Sequence, residues 1–436
     1  MPTSPPRPTP KSARKTAWQV LQTLHRDAYT PLPEIINALS HKEGLDQRDT
    51  RLLTMLVYGV LRTQVRLDFA LNQYLHKAPS QELYDLLRLG AYELLWTNIA
   101  AHASVDQYVR LCRGKYAELA GLVNAVLRGL DRDRQSILER DAAILAEAKL
   151  YPTAENLIFL GSLPTWLAVM WLEQYGPDFA YRLAESVQHQ PVPTYRVNAA
   201  RLPEYQNFFC EDGNLSIILT GNDPRFVQAE ARGLLSRQGT ASIQAISKLA
   251  EYLESDPRFK NAEIWDSCCG RGNKTCAMLE ANLEVSLASD PSPARLTGLK
   301  KNLSRLGLAT PQIQCSTLQD LADSLNRQFP VIVLDVPCSG SGTLARNPEL
   351  RWRLNPEQLG QHALLQAELL DKAWFRLSPG GLLAYITCAL HKTENEEQIR
   401  SFCARHVDAC SVLEEYIFPD YRTSGDSIFL SFLRKE

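Results

Sequence analysis

Two runs in the second half of this 436-residue chain carry the residue types needed for nucleophilic chemistry on a flat ring. Val331-Ile-Val-Leu-Asp-Val-Pro-Cys-Ser-Gly-Ser-Gly342 is an apolar run ending in an acid, a cysteine and a flexible turn. Leu382-Leu-Ala-Tyr-Ile-Thr-Cys388 is a second apolar run that ends in a second cysteine. Each reads as a buried β-strand delivering its last residues to a sheet edge. A buried strand-end cysteine is commonly inert, so either one alone reads more simply as packing. Two of them, beside Asp335 and a turn suited to a nucleoside, reverse that judgement. A thiolate can add to carbon 6 of a pyrimidine and make carbon 5 carbanion-like, able to attack an electrophilic methyl group. An acid such as Asp335 would stabilise the charge at ring nitrogen 3. The spacing leaves open whether Cys338 or Cys388 attacks; the other thiol would assist product release.

The turn in question is Asp266-Ser-Cys-Cys-Gly-Arg-Gly-Asn-Lys-Thr275, between a predicted strand and a helix predicted to begin near Cys276. Its glycines let backbone N–H groups approach a cofactor, and a helix N-terminus favours a carboxylate. A plain structural turn is the alternative. Asp290 ends the next predicted strand, where a carboxylate can take both ribose hydroxyls of an adenosine-containing cofactor or merely cap the helix after Pro291. Lys274 and Thr275 do not make a P-loop, because the required glycine spacing is absent.

The elements that must position these residues alternate from about residue 236 onward. Strands are predicted at 263–265, 285–288, 331–334 and 382–386, and helices at 294–306 and 358–377. The pattern predicts a doubly wound α/β domain over 236–436, with Thr393 and Glu396 as a capping box for its last long helix. From 13 to 150 the pattern is helical. Leu83, Leu86, Leu87, Ala91, Leu94 and Leu95 recur at helical spacing behind Ser80 as N-cap, and Leu52, Met55, Leu56 and Val60 repeat the theme after Asp46, which predicts an all-α bundle. Residues 151–235 read as a small α+β connector, with a helix at 163–175 and an extended strand at 191–198 fixed by its prolines. The Pro-rich segment 1–12 is expected to lack fixed structure.

Composition narrows the classes. Hydrophobic and charged fractions of 45% and 22% are ordinary, and no run of about 18 apolar residues is present to span a bilayer. The start lacks the apolar stretch of a signal peptide, which gives the expectation of a bacterial cytoplasmic protein. Ten scattered cysteines with no paired Cys-x-x-Cys spacing read as reduced thiols rather than as disulfides or a zinc site. Residues 1–150 hold 20 Lys/Arg against 16 Asp/Glu on a chain of net charge −2, a modestly basic front that permits nucleic-acid binding.

Asp335-Val-Pro-Cys-Ser-Gly-Ser-Gly342, Thr387-Cys388, Glu394-Asn395 and Asn302-Leu-Ser-Arg-Leu-Gly307 closely resemble the bacterial RsmB and eukaryotic Nop2/Sun RNA 5-methylcytosine methyltransferases. Asp49-Thr-Arg-Leu-Leu-Thr-Met-Leu-Val-Tyr-Gly-Val-Leu-Arg62, Leu87-Arg-Leu-Gly-Ala-Tyr92 and Val123-Asn-Ala-Val-Leu-Arg128 resemble the NusB-like domain of RsmB, and Arg196-Val-Asn198 and Gln238-Gly-Thr-Ala-Ser242 its connector. The resemblance covers nearly the whole chain. It implies a NusB-like RNA-binding bundle, a connector and a Rossmann-like class I methyltransferase domain that methylates 16S rRNA, naked or in an assembly intermediate, as a monomer. It assigns Cys388 as nucleophile and Cys338 as the thiol that assists release. S-adenosylmethionine would be held by Cys268, Cys269, Gly270, Arg271, Gly272, Asn273, Lys274, Asp290, Ser316 and Asp335, and RNA by Arg196, Asn198, Arg346 and Arg351. The chain departs from the family's usual D-x-C-A-A-P-G-G-K-T turn at Gly270, Arg271 and Asn273. Asn273 is expected to replace glycine because asparagine tolerates a left-handed backbone. Ser316 stands where the family usually has an aspartate for the adenine amine, at a cost to cofactor binding of roughly 1 kcal/mol. These departures raise an alternative, a non-catalytic RNA-binding or assembly factor with a degenerate cofactor site.

Overall fold

The computed structural model describes residues 12–27, 29–209, 218–220, 223–418 and 425–436. The Pro-rich segment expected to lack fixed structure lies outside them except for Ser12, whose side chain caps the first helix by accepting the Lys15 N–H. The chain divides into two compact units, one running to Gln188 and including Asn347–Arg353, the other comprising His189–Arg346 and Leu354–Glu436. Among the described residues no single helix is long and apolar enough to cross a membrane.

The first unit is all helical. Helix Gln81–Trp96 buries the predicted stripe of Leu83, Leu86, Leu87, Ala91, Leu94 and Leu95, against Leu53, Leu56, Val57 and Val60 of Gln47–Leu71 and Val123, Leu127 and Leu130 of Ala120–Arg132. Ser80 occupies the N-cap but makes no side-chain capping bond, and Met55, expected on the stripe, turns outward. Glu93 is wholly buried and accepts hydrogen bonds from Arg14, Ser104 and Tyr108, so its charge is paired where water cannot reach.

Asn347–Arg353 completes this unit from far along the chain. Arg351 is fully buried and donates to the carbonyls of Gly161, Val187 and Arg62. Trp352 donates to the Leu61 carbonyl and Arg353 to those of Asp27 and Thr30. Arg351 therefore holds protein backbone and is not available as an RNA contact, which corrects the expectation.

In the second unit, strands β1 (Thr194–Val197), β2 (Ile218–Thr220) and β3 (Leu235–Arg237) form a small antiparallel sheet in the order β2-β1-β3. Strands β4 (Ile264–Asp266), β5 (Val285–Ser289), β6 (Gln312–Gln314), β7 (Phe329–Asp335), β8 (Leu377–Thr387), β9 (Ala409–Ile417) and β10 (Ile428–Lys435) form the large one, in the order β6-β5-β4-β7-β8-β10-β9. Pairings from β6 to β8 are parallel, and β10 is antiparallel to both neighbours. Alternate residues face opposite layers: Ile332 and Leu334 pack with Leu369, Leu370 and Phe402, whereas Val331 and Val333 pack with Ala245, Ile246 and Leu249 of helix Thr240–Ser255. The expected doubly wound sheet is present, with β6, β9 and β10 added to the four predicted strands.

The connector expected over 151–235 does not form a unit of its own. Helices Ala154–Gly161, Thr165–Tyr175 and Pro177–Ser186 belong to the first unit, and the three-stranded sheet to the second. Removing the Arg351 guanidinium strands buried carbonyls. Arg351→Ala should destabilise the first unit by about 3 kcal/mol, read as a lower urea midpoint; an unchanged midpoint would contradict the bracing role.

Candidate active site

β5 and β7 flank β4 on opposite sides, so the chain leaves the carboxyl end of β4 at a switch point, where open α/β sheets place ligands. A cavity of about 730 Å³ opens there, lined by Asp266, Cys268 to Arg271, Lys274, Asp335, Cys338, Cys388 and Asp426 among others.

The turn after β4 is stitched to both neighbours. Ser267 N–H donates to the Val333 carbonyl (3.0 Å), Cys269 N–H to that of Ser289 (3.0 Å), and Gly270 N–H to Asp290 Oδ2 (3.1 Å). Two residues have left-handed backbone, Gly270 (φ +55°) and Gly272 (φ +80°). A Cβ at Gly272 would lie 2.2 Å from Leu299 Cδ1, so only glycine fits. Asn273 begins helix Asn273–Glu280 with helical backbone. The expected reason for asparagine there, tolerance of a left-handed backbone, therefore does not apply, because the glycines take those positions. Arg271 is exposed; its stem lies along Gly298, and its carbonyl accepts from Asn302 Nδ2 (3.1 Å).

Asp266 is wholly buried, with Oδ2 accepting the Thr275 hydroxyl at 2.6 Å, and burial pushes its carboxyl up to about 7. Lys274 Nζ stands 2.6 Å from Asp335 Oδ2. Burial pulls the Lys274 ammonium down, but the neighbouring Asp335 outweighs it and the net shift is upward. Cys338 and Cys388 bring their sulfurs to 3.2 Å, and Cys388 N–H points at Cys338 Sγ (3.3 Å). The hydrogen bond to Cys388 together with burial raises the Cys338 thiol well above its ordinary value. Burial and nearby carboxylates likewise push Cys268 and Cys269 up and keep them neutral.

Adjacent residues hold the two cysteine-bearing turns. Glu394 Oε1 accepts from Ser339 N–H (2.9 Å) and Gln366 Nε2 (3.0 Å), and Gln366 Nε2 also donates to the Pro337 carbonyl (3.0 Å). Asn395 Oδ1 accepts the Thr387 hydroxyl (2.6 Å) while its Nδ2 donates to the Ala389 carbonyl (2.9 Å). Asn395 is also the N-cap of helix Glu396–Arg405, in place of the predicted Thr393 capping box; Thr393 lies in a preceding 3-10 turn.

Residues 255–429 match the family described as 16S rRNA methyltransferase RsmB/F, and residues 11–132 match the NusB family. The chain is 33% identical to ribosomal RNA small subunit methyltransferase B of Pseudomonas putida over 381 residues, 83% of each chain. The chain belongs to the RsmB/F family of rRNA methyltransferases. The protein of the same name from Proteus mirabilis is 28% identical over 91% of this chain and 92% of its own. The fold matches the crystal structure of PH0851 with a TM-score of 0.71 at 22% identity, over 98% of this chain and 99% of that one. It also matches NSun6 from Pyrococcus horikoshii, solved with SFG, with a TM-score of 0.51 at 18% identity, over 63% of this chain and 99% of that one.

Within this family frame the structure brings Asp335, Cys338, Cys388 and Lys274 together at one cavity. Asp290 directly follows β5, one residue past the strand it was expected to end; its oxygens accept the N–H groups of Gly270 and Ser292, and the N-cap of helix Pro293–Leu306 is Ser292. Ser316 is half-buried in the turn after β6. Arg346 is half-exposed at the cavity and pairs with Asp426 at 3.0 Å. Arg196 and Asn198 are corrected as RNA contacts because both are buried. Arg196 pairs with Glu280 at 2.6 Å, and Asn198 Nδ2 donates to the carbonyls of Gly233 and Leu306 at 3.0 Å. They tie the small sheet to the helices that follow β4 and β5. Sequence reading gave no role to Asn302 or Asp426 and no bracing role to Glu394 and Asn395. The motif residues Asn302, Glu394 and Asn395 were visible as amides and an acid inside otherwise apolar or helical stretches.

Two outcomes follow from this geometry. Asn395→Ala frees the Cys388 turn, so kcat should fall by about 100-fold with cofactor affinity unchanged by calorimetry; an unaltered kcat would remove Asn395 from the positioning role. The Asp266 carboxyl titrates higher folded than unfolded, so the stability it confers is full below about pH 4 and is lost as pH rises through about 7. Asp266→Asn should flatten that part of the stability–pH curve, by at most about 4 kcal/mol.

Proposed function

We propose that this RsmB/F enzyme methylates carbon 5 of a cytosine in 16S rRNA through a covalent bond between Cys388 and carbon 6, using S-adenosylmethionine. The observation that carries the reading is the pair of thiols at 3.2 Å beside the Lys274–Asp335 ion pair. Cys388 gives up its proton to water and its sulfur adds to carbon 6, which drives electron density toward carbon 5 and nitrogen 3. Asp335, receiving a proton from Lys274 at 2.6 Å, passes it to nitrogen 3 as charge develops there and takes it back when the adduct collapses. S-adenosylmethionine, when bound, supplies the electrophilic methyl group. The carbon 5 proton then leaves to water and the carbon 6 to sulfur bond breaks, which leaves 5-methylcytosine and the Cys388 thiolate. Cys338, whose thiol sits against Cys388 and is held above its ordinary value, assists that elimination.

The residues present fit the cofactor. Among the described residues, and apart from the glycine and its two chain neighbours, no atom stands within 4 Å of where a Cβ at Gly270 would be, so a ligand can approach the backbone of the turn, and helix Asn273–Glu280 begins beside it. NSun6 of Pyrococcus horikoshii was solved with SFG, an analogue of S-adenosylmethionine. The cofactor roles of Asp290 and Ser316, RNA binding by the helical unit and by Arg346, the monomeric state and a cytoplasmic location belong to this same reading, supported by relatives named for small-subunit rRNA. A degenerate site is disfavoured, since Lys274, Asp335 and both thiols are assembled at one cavity.

Purified protein with labelled S-adenosylmethionine and unmethylated 16S RNA should place methyl on carbon 5 of cytosine; none there would reject the reading. Cys388→Ala should abolish turnover. Cys338→Ala should instead accumulate a protein–RNA adduct that survives denaturing gels. The reverse pattern would make Cys338 the nucleophile.

A further inference from the structure

Asp426 stands in the same cavity as Asp335, Cys338 and Cys388 and has no part in the chemistry above. Its position is fixed by the backbone around the thiols. Gly342 N–H donates to the Cys388 carbonyl (2.8 Å), and Ser427 N–H donates to the Gly342 carbonyl (2.8 Å). A Cβ at Gly342 would stand 2.6 Å from the Ser427 carbonyl oxygen and 2.9 Å from that of Cys388, so the three segments touch through a glycine. Gly239 leaves room for the carboxyl itself, since a Cβ there would lie 2.9 Å from Asp426 Oδ2.

The side chain is buried, and its two oxygens differ. Oδ2 is held by Arg346 Nη2 at 3.0 Å, whereas Oδ1 has no hydrogen-bond partner among the described residues. Burial pushes the carboxyl up, opposed by Arg346 and Lys274; charged or neutral, it keeps an oxygen able to accept. A buried acceptor without a donor costs about 1–3 kcal/mol. Such a group at a cavity wall is matched to a ligand that brings a donor.

The pyrimidine edge offers a clear choice. Cytosine carries a 4-amino donor, for which aspartate is a natural acceptor, while a 4-oxo pyrimidine presents an acceptor at the same place. We infer that Asp426 contacts the target base and selects cytosine over uracil by accepting a hydrogen bond from the 4-amino group, with Arg346 as its positioning residue. This rests on the cytosine reading above. Asp335 then serves nitrogen 3 and Asp426 the neighbouring amine, and a uracil would set its oxygen against a carboxyl oxygen.

The test uses the full chain, 16S RNA, and the same RNA with the methylated cytosine changed to uracil. An asparagine amide can turn its NH2 toward a 4-oxo group, so Asp426→Asn should slow methylation of cytosine by about 100-fold and shrink the cytosine-over-uracil rate ratio by at least about 10-fold. Calorimetric binding of S-adenosylmethionine should be unchanged. Asp426→Ser, which is smaller and neutral, should lose discrimination as well and covers the case of a poorly folded amide variant. A wild-type ratio in either folded variant, whatever its rate, overturns the role of Asp426 alone. Failure of the wild type to place methyl on carbon 5 overturns the reaction reading, and with it this one.

Discussion

Parallel pairing of β7 with β8, in a register that sets Asp335 beside Ile386, is the constraint on which the site depends. From that rung the chain runs on through Pro337 to Cys338 and through Thr387 to Cys388. Because the strands point the same way, both thiols emerge at one sheet edge; an antiparallel pair would send them to opposite edges. A slip of one residue would turn every side chain to the other face and put Ile332 and Leu334 where Val331 and Val333 belong. Packing of the two layers therefore fixes the distance between the sulfurs. On the other side of β7, Asp266 of β4 lies beside Val333, which brings the turn carrying Lys274 to the same edge.

That constraint explains which parts were legible in the sequence. Strands β4, β5, β7 and β8 are apolar runs followed by an acid or a cysteine, and their ends are where the chemistry sits. β6 is Gln312-Ile-Gln314, too short and polar to stand out. β10 is almost continuously apolar, a pattern that a buried helix shares. The arginines misled for another reason. Arg196 finds Glu280 84 residues away and Arg351 finds the Gly161 carbonyl 190 residues away, so nothing local marks either as internal. A guanidinium with five donors suits buried backbone as well as phosphate, and only the fold decides between them. Asp426 was missed likewise: an acid in a polar stretch before a strand gives no sign of burial.

The acids of the site are unequal, and their inequality has a physical logic. Asp290 spends its oxygens on the backbone N–H groups of Gly270 and Ser292, with Arg295 3.5 Å away, Asp335 is matched by Lys274, and Asp426 by Arg346. Asp266 pairs with no cation among the described residues, and its carboxyl is shifted upward by burial, opposed by the Thr275 hydroxyl and Lys274 and assisted by Asp335 and Asp290. The cavity is lined by Arg237, Arg271, Lys274 and Arg346 as well as by Asp266, Asp335 and Asp426, so its carboxyl groups are met by at least as many cations. Each carboxyl is therefore held by a particular neighbour rather than by an overall field of one sign. A carboxyl fixed in this way keeps its orientation when a substrate enters, so the site is aimed before any reaction begins and no movement of the protein is required.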